Sequence, residues 1–346
     1  MSASSTSVNK QVHLASRPDG EPSTANFAFV DAPMPDANAL KDGQVLVRVH
    51  YMSVDPYMRG RMNDAKSYAQ PQPLNQVMQG GTVGEVVASK HASYKPGDKV
   101  VGFAGWQQYH VADANQVGAL RKVDTTHVPL SAYLGSVGMP GVTAWYGLVK
   151  ICKPKDGETI AVSAASGAVG SVVGQLAKAR GCRVIGIAGG AEKCAYVTDE
   201  LGFDACIDYK QHADWRSLTK ALKEAAPNGI DGYFDNVGGM VLNAILPRMN
   251  AFGRMAICGM IAGYNGEPIP IEQPQLILQS RLLVEGFIVS EHMDVWGEAL
   301  KELGERVGSG KLKFRESVAQ GIENAPEAFL GMLKGKNFGK QVVKLV

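Results

Sequence analysis

Residues 159–187 read TIAVSAASGAVGSVVGQLAKARGCRVIGI, and this stretch decides the fold of the chain. An apolar run at residues 160–162 ends in small residues, and a second apolar run closes the stretch at residues 184–187. Between them, apolar residues recur at intervals of three and four, which is the spacing of one helix face. These residues are Val169, Val172, Val173 and Leu176. The stretch therefore predicts a strand, a glycine turn, a helix and a second strand.

The glycine turn, residues 165–170, reads ASGAVG, which is the dinucleotide-binding fingerprint with alanine at its first glycine. Gly167 would let the backbone approach a pyrophosphate, and Gly170 would let the helix pack closely on the strand. The start of the helix, with Ala168 and Val169, offers N–H groups and the positive end of the helix dipole. Glycine makes up 40 of the 346 residues, so chance matches to a glycine pattern are expected. The motif is informative because it lies between a predicted strand and a predicted amphipathic helix. A glycine-rich helix start without a ligand is the alternative.

The residues after the second strand indicate which dinucleotide is bound. An NAD site carries an Asp or Glu about 20 residues after the first glycine, where it binds the ribose 2′-OH. Residues 188–193 read AGGAEK, and Glu192 falls in the first turn of the next helix, where the helix dipole favours it. Lys193 can meet a 2′-phosphate as a point charge. The pattern predicts NADP(H), and an ordinary solvated lysine is the alternative for Lys193.

Length and composition exclude several classes of protein. A chain of 346 residues predicts two domains. A net charge of +2 without a basic block argues against nucleic acid and anionic membranes as partners. Apolar runs stay far below the ~20 residues of a membrane span, and residues 1–10, without an apolar signal region, are interpreted as the disordered tail of a cytoplasmic protein. Five dispersed cysteines without a CxxC pair favour reduced thiols.

The periodicity changes once along the chain. Residues 11–135 alternate with period two between turn residues, which predicts a β-rich domain, a small barrel. From residue 136 to residue 308 strands and helices alternate, which predicts a parallel sheet with helices on both faces. Residues 309–346 form a predicted β-α-β segment that returns to the first domain. The six strands predicted for the parallel sheet lie at residues 160–162, 184–187, 205–209, 230–235, 254–258 and 282–289.

Five motifs occur along the chain: SVDPYMR at residues 53–59, AASGAVG at 164–170, DNVGG at 235–239, CGMIAGYN at 258–265 and KNFGK at 336–340. Together they resemble the zinc-independent branch of the medium-chain dehydrogenase/reductase superfamily. That branch includes prostaglandin reductases, plant alkenal double-bond reductases and bacterial curcumin reductase. The resemblance implies an α/β fold in which a Rossmann-type doubly wound parallel sheet is inserted in a GroES-like β-barrel domain.

The resemblance also implies roles for individual residues. Gly167, Ala168, Val169 and Gly170 would hold the pyrophosphate, and Lys193 and Tyr209 would flank the 2′-phosphate. Tyr57 and Tyr264 are the catalytic candidates, because the family pattern places both hydroxyls at the substrate. A half-buried barrel residue is the alternative for Tyr57, and a ring that only shields the nicotinamide is the alternative for Tyr264. The residues implied to line the ribose and nicotinamide are Asn236, Cys258, Gly259, Tyr264, Phe287, Ile288, Val289 and Asn337.

A metal site is not expected. The zinc-dependent relatives carry a cysteine ligand where this chain has residues 53–55 and a Gly-His-Glu where it has residues 80–82, which read GGT. Catalytic zinc needs three protein ligands, and His50 and His110 lack a third partner in sequence.

The sequence thus predicts an NADPH-dependent enzyme that reduces the C=C bond of α,β-unsaturated aldehydes and ketones. Without a metal, the developing oxyanion needs hydrogen-bond donors such as a tyrosine hydroxyl. A quinone reductase of the same superfamily and a non-catalytic NADPH-binding protein are the alternatives. The expected partner is a small enal or enone, and the family leads us to expect a homodimer.

Overall fold

The computed structural model describes residues 8–346, which form two compact units. One unit runs to Leu134 and includes Glu316–Asn337 and Gln341–Val346; the other comprises Gly135–Arg315 and Phe338–Lys340. The tail expected over residues 1–10 overlaps the first strand at residues 8–10, because Asn9 is buried there and its side-chain amide donates to Tyr109 O at 2.9 Å. Residues 1–7 lie outside the described range.

Strands and helices are numbered in chain order. The strands and helices are β1 (Val8–Leu14), β2 (Phe27–Pro33), β3 (Gln44–Ser53), α1 (Tyr57–Arg61), β4 (Thr82–Ser89), β5 (Lys99–Gly102), β6 (Tyr109–Asp113), β7 (Leu120–Lys122), α2 (Met139–Tyr146), β8 (Thr159–Ser163), α3 (Gly170–Lys178), β9 (Arg183–Ala188), α4 (Ala191–Ala195), β10 (Ala205–Asp208), α5 (Trp215–Ala225), β11 (Ile230–Asp235), α6 (Gly239–Ile245), β12 (Met249–Ile257), α7 (Gln275–Gln279), β13 (Leu283–Gly286), α8 (Trp296–Gly308), β14 (Glu316–Gln320), α9 (Ala325–Leu333) and β15 (Lys340–Lys344).

The unit around Gly135–Arg315 is built on a parallel sheet. Among the described residues it has six strands in the order β10-β9-β8-β11-β12-β13, with parallel pairing along that order. This is the doubly wound order, and the predicted Rossmann-type sheet is confirmed. The central strand β8 is fully covered, as expected for a parallel strand between two helical layers. Helix α3 buries Val172, Val173 and Leu176, the face that its sequence spacing predicts.

The unit around residues 8–134 is built on antiparallel pairing. Its larger sheet, as far as the structure describes it, has the order β14-β15-β3-β4-β5-β7. Strand β6 pairs with the first half of β3, at residues 44–48. Strand β15 of the C-terminal segment pairs with β3, where Val342 lies opposite Ser53. Phe27, Trp106 and Phe329 of α9 pack as an aromatic core, in one hydrophobic cluster with Val12 and Leu14 of β1.

Several element bounds differ from the expectations. Strands β1, β2 and β7 were not predicted, because polar residues interrupt the first two and the third has only three residues. The last strand of the parallel sheet, expected over residues 282–289, spans only Leu283–Gly286, and Phe287 just beyond it packs its ring against Tyr146. No helix among residues 8–346 is both long and apolar enough to cross a bilayer.

Candidate active site

The turn between β8 and α3 is built on close backbone contacts. Ala164 adopts the left-handed conformation, with φ of 49°, and its carbonyl accepts the N–H of Gly167 at 2.9 Å. A Cβ on Gly170 would lie 2.4 Å from that carbonyl oxygen, and a Cβ on Gly167 would lie 3.1 Å from it. Gly167, Ala168 and Val169 are half-buried, so their backbone is open to a ligand at the start of α3.

Alanine fits the first position of the fingerprint for a local reason. Ala165 is fully buried and donates its N–H to Ile187 O at 3.0 Å. Its methyl group would lie 2.9 Å from a Cβ on Gly186, so the glycine in β9 makes room for it. On the turn's outer side, Gly339 forms a parallel bridge with Gly167. The turn is thus fixed from both sides.

Polar side chains link the carboxyl ends of β8, β11 and β12. Ser163 Oγ donates to Asp235 Oδ1 at 3.0 Å and accepts the N–H of Asn236 at 2.8 Å. Asn236 Nδ2 donates to Ser163 O at 2.7 Å, and Cys258 Sγ donates to Asn236 Oδ1 at 3.0 Å. The structure therefore brings two of the candidates, Asn236 and Cys258, together at the sheet edge where such folds bind ligands.

The buried carboxylate of Asp235 accepts hydrogen bonds from the residues at this sheet edge. It is fully buried, and its Oδ1 also accepts from the Tyr233 hydroxyl at 2.8 Å and from the N–H groups of Val237 and Gly238 at 2.9 and 3.0 Å. Its Oδ2 has no hydrogen-bond partner among the described residues. Burial raises the pKa of Asp235 above its ordinary value, although the hydrogen bonds to Oδ1 oppose this. One carboxyl oxygen thus holds the loop that carries Asn236.

Positive charge collects beyond the end of β9. Lys193, on α4, is half-buried, and Lys210 follows β10. A Cβ on Gly189 would lie 2.9 Å from the ring of Tyr209 and 3.0 Å from Lys210 Cε, so both side chains lie against that glycine. Burial and the charge of Lys210 lower the pKa of Lys193. Two repelling ammonium groups favour an anion at this place.

The carboxylate of Asp208 is engaged by the backbone beside these lysines. Its Oδ1 accepts the N–H of Gly190 at 2.8 Å and that of Lys210 at 3.1 Å. These bonds hold the two loops that carry the lysines. The residues directly after β9 contain no Asp, unlike an NAD site, in which a carboxylate after the second strand binds the ribose.

The hydroxyl of Tyr264 folds back over the end of β12. It accepts the N–H of Met260 at 3.3 Å, and a Cβ on Gly259 would lie 3.4 Å from it. The same Cβ would lie 3.2 Å from Asn236 O. Tyr264, Gly259 and Asn236 therefore surround one small region above the strand ends.

Tyr57 belongs to the other unit, where it begins α1. The guanidinium of Arg61 lies 4.6 Å from its ring centroid. Nearby, Ser53 Oγ donates to the buried Asp55 carboxylate. Burial, together with the charge of Asp55, raises the pKa of Tyr57 well above its usual range, so its hydroxyl remains a proton-bearing donor.

The remaining candidates lie in different surroundings. The ring of Phe287 packs against Tyr146 and Phe234, with centroids 5.2 and 6.3 Å away, so the ring serves the core. Val289 is buried and Ile288 is half-buried. Asn337 is half-buried in the loop before β15.

Sequence reasoning missed three residues of this region. Lys210 could have been noticed, because it directly follows Tyr209 at a strand end. Asp235 stood within a recognised motif without a role of its own. Ser163 gives no signal in sequence, since its importance arises only from the pairing of β8 with β11.

Comparison with known proteins identifies the family. A model described as the N-terminal domain of oxidoreductases matches residues 10–120, and one described as zinc-binding dehydrogenase matches residues 168–305. The chain is 44% identical over 347 residues to the NADPH-dependent curcumin reductase of Escherichia coli, with 97% of both chains covered. The chain belongs to the zinc-independent branch of the medium-chain dehydrogenase/reductase superfamily. Another member, the NADP(+)-dependent 2-alkenal reductase of Nicotiana tabacum, is 40% identical and is also covered to 97% in both chains.

A solved member of this branch supports the same assignment. The crystal structure of CurA from Vibrio vulnificus in complex with NADPH is 44% identical to the chain, with a TM-score of 0.89. The match covers 97% of this chain and 99% of the CurA chain.

The zinc named in one family model does not fit the residues present in this member. Within residues 8–346, no group of three or more His, Cys, Asp or Glu side chains could hold a metal ion. A catalytic zinc needs three such ligands. No step of the chemistry is therefore assigned to a metal.

Proposed function

We propose that this protein is an NADPH-dependent reductase of the C=C bond of α,β-unsaturated aldehydes and ketones. The observation that carries the proposal is the pair Lys193 and Lys210, which stands where an NAD-specific protein would have a free carboxylate. The relatives support it further, since curcumin reductase is NADPH-dependent and 2-alkenal reductase is NADP(+)-dependent by name.

The residues of the parallel-sheet unit fit NADP(H). The backbone of Gly167, Ala168, Val169 and Gly170 would bind the pyrophosphate, because side chains are absent where the turn approaches most closely. Lys193, Lys210 and Tyr209 would hold the 2′-phosphate. The residues proposed to line the ribose and nicotinamide are Asn236, Cys258, Gly259, Tyr264, Phe287, Ile288, Val289 and Asn337.

NADPH, when bound, supplies the hydride that reduces the β-carbon. Reduction leaves negative charge on the carbonyl oxygen, which must be met by hydrogen-bond donors. Tyr264 and Tyr57 are the proposed donors. The raised pKa of Tyr57 keeps its proton in place at neutral pH. Tyr264 would donate its hydroxyl proton to the substrate while its oxygen continues to accept the N–H of Met260.

We assign the pyrophosphate and the 2′-phosphate of the cofactor to the unit of Gly135–Arg315, which carries the glycine turn and the lysines. We also propose a cytoplasmic location, for which the support is chemical: all five cysteines are free thiols, the state typical of a reducing compartment.

A homodimer through the edge of the parallel sheet is also proposed. Strand β13 is an edge strand, and Leu283 and Val284 on it are exposed. Leu278 of the neighbouring α7 is 79% exposed. An apolar edge strand readily pairs with a second strand. Val284→Lys should convert a dimer to a monomer by light scattering, whereas Val117→Lys, at a fully exposed loop position, should not. A wild-type monomer would contradict the proposal.

An NADPH-oxidation panel tests the activity. The panel contains an enal, an enone, their saturated counterparts and a quinone, and product analysis identifies the bond reduced. We expect turnover of the enal and the enone to the saturated carbonyl compound, without alcohol formation. Faster turnover of the quinone would favour the quinone-reductase alternative. Failure to oxidise NADPH with every acceptor, despite binding it, would show a non-catalytic protein.

A further inference from the structure

The segment that follows Tyr264 is rich in proline. Residues 265–274, here the proline segment, read NGEPIPIEQP, and their prolines restrict the backbone. The proline segment contains neither a strand nor an α-helix, and it leads from the turn beyond β12 to α7. Its attachment to the rest of the parallel-sheet unit therefore bears on where Tyr264 is held.

A buried asparagine on α6 fixes the far end of the proline segment. The Nδ2 of Asn243 donates to Pro270 O at 2.9 Å, and its Oδ1 accepts the N–H of Glu272, also at 2.9 Å. On α5, Trp215 Nε1 donates to Glu272 Oε2 at 2.7 Å. The buried amide thus has a main-chain partner at both its oxygen and its nitrogen. This end of the segment is tied to two helices of the parallel-sheet unit.

Nearer to Tyr264, the side chain of Ile269 packs against three glycines. A Cβ on Gly263 would lie 3.1 Å from Ile269 Cδ1, and a Cβ on Gly238 would lie 3.3 Å from the same atom. A Cβ on Gly239 would lie 3.4 Å from Ile269 Cγ2. Ile269 is half-buried in this position. The three glycines, here the glycine socket, accept the isoleucine because each of them lacks a side chain.

The glycine socket joins two loops of the candidate site. Gly263 directly precedes Tyr264, whereas Gly238 lies in the loop after β11. A main-chain bond also links the two loops, since Ala262 N–H donates to Val237 O at 3.1 Å. The isoleucine in the socket therefore holds the turn before Tyr264 against the loop after β11.

We propose that Ile269 is a positioning residue for Tyr264. By filling the glycine socket it keeps the turn of residues 260–264 in place, so that the Tyr264 hydroxyl stays over the end of β12, 3.3 Å from Met260 N. The inference rests on the proposed function, because it takes Tyr264 as a donor to the carbonyl oxygen of the substrate. The packing of Ile269 in the socket does not depend on that function.

Shortening Ile269 should lower the rate of reduction and leave cofactor affinity unchanged. Loss of the Tyr264 hydroxyl itself, about 10²–10³ in kcat, sets the upper limit, and a displacement of about 1 Å can cost on the order of 100-fold. With crotonaldehyde as the enal, we expect kcat to fall about 10- to 100-fold in Ile269→Ala, with the NADPH Kd within about twofold of wild type. Ile269→Val loses only one methyl group and should restore kcat to within about threefold of wild type.

A second isoleucine of the proline segment provides the matched control. Ile271 is 40% exposed, and Ile271→Ala should keep the wild-type kcat and KM. An equal fall of kcat in Ile271→Ala would overturn the proposal, because the loss would then belong to the segment as a whole. A raised KM for crotonaldehyde with unchanged kcat in Ile269→Ala would also overturn it, because Ile269 would then be a wall of the substrate site.

A double-variant cycle tests whether Ile269 acts through the tyrosine. In the Tyr264→Phe background, Ile269→Ala should change kcat by less than about twofold, because the hydroxyl that Ile269 positions is already absent. A further loss as large as that of the single variant would refute the assignment.

Hydrogen exchange, followed by mass spectrometry, tests the positioning without reference to activity. In Ile269→Ala the amides of residues 258–265 should exchange about tenfold faster or more, whereas those of β11 should keep their wild-type rates. Unchanged exchange at residues 258–265 would show that the socket does not hold the turn, and faster exchange throughout the parallel sheet would show a general loss of stability; either result contradicts the proposal. Failure of the proposed function would appear separately, as absence of crotonaldehyde reduction by the wild type.

Discussion

Replacing Gly170 by alanine should impair cofactor binding more than it impairs folding. The added Cβ would lie 2.4 Å from Ala164 O, 2.9 Å from Ala164 C and 3.0 Å from Ala165 Cα. All three atoms belong to the backbone, so no side chain can rotate away. Because carbon atoms pack at about 3.5–4.0 Å, α3 and the turn must separate by about 1 Å.

The stability cost of this separation is partly offset. Overpacking costs about 1–3 kcal/mol, whereas alanine improves helix propensity over glycine by about 1 kcal/mol at the start of α3. Binding is more sensitive, because misplacing a binding group by about 1 Å can cost on the order of 100-fold. We therefore expect the NADPH Kd to rise by about 10- to 100-fold while the melting temperature falls by only a few degrees.

Two further glycine variants make the measurement decisive. Gly167→Ala, with its Cβ 3.1 Å from Ala164 O, should weaken binding less than Gly170→Ala. Gly297→Ala, on α8 with no atom within 4 Å of the added Cβ, should leave the NADPH Kd unchanged. Fluorescence titration with NADPH provides all three values. If Gly170→Ala binds NADPH within threefold of wild type, the turn between β8 and α3 does not hold the pyrophosphate.

Lys193→Ala should raise the NADPH Kd about 10- to 100-fold and leave that of NADH nearly unchanged, and equal losses would show that Lys193 does not contact the 2′-phosphate. Since the pKa of Lys193 is lowered, wild-type affinity for NADPH should fall with rising pH earlier than for an ordinary lysine, whereas Lys193→Arg should stay flat. Tyr264→Phe should lower kcat by about 10²–10³ with little change in NADPH affinity; a kcat within threefold of wild type would leave Tyr57 as the donor. Because burial raises the pKa of Asp235 in the folded state, its contribution to stability is full at acid pH and is lost as the pH rises through that pKa. The unfolding free energy of the wild type relative to Asp235→Asn should fall over that range, and a constant difference would contradict the burial argument. Prolonged chelation should leave turnover unchanged, because no cysteine occurs at residues 53–55, where the zinc-dependent relatives carry a cysteine ligand; restoration of lost activity by zinc alone would overturn this.

The parallel sheet was predictable because its signals are local. The apolar run, glycine turn and amphipathic helix of residues 159–187 each reflect a short-range rule, and all three agree. The strands β1 and β2 were missed because polar residues such as Asn9 and Gln11 interrupt the alternation of apolar and polar residues. The two strands pair with each other, and this pairing has no signal in the sequence. Burial of Asn9 depends on its contact with Tyr109, about a hundred residues away.

The residues of the candidate site also differ in whether their signal is local in sequence or depends on contacts between distant segments. Lys193 was predictable, since the missing acid and the lysine lie within one short segment. Its partner Lys210 follows a different strand, and only the pairing of β9 with β10 brings the two together.

The bridge between Gly167 and Gly339 bears on how the chain folds during synthesis. Phe338–Lys340 belongs to the parallel-sheet unit, and Lys340 N–H donates to Arg315 O at 2.9 Å. Chains emerge from the ribosome N-terminus first, so the strands and helices of that unit are available long before this segment. The bridge is also a contact of high sequence separation, which forms slowly. The glycine turn of a nascent chain therefore stays uncovered on one side until residues 338–340 have been synthesised.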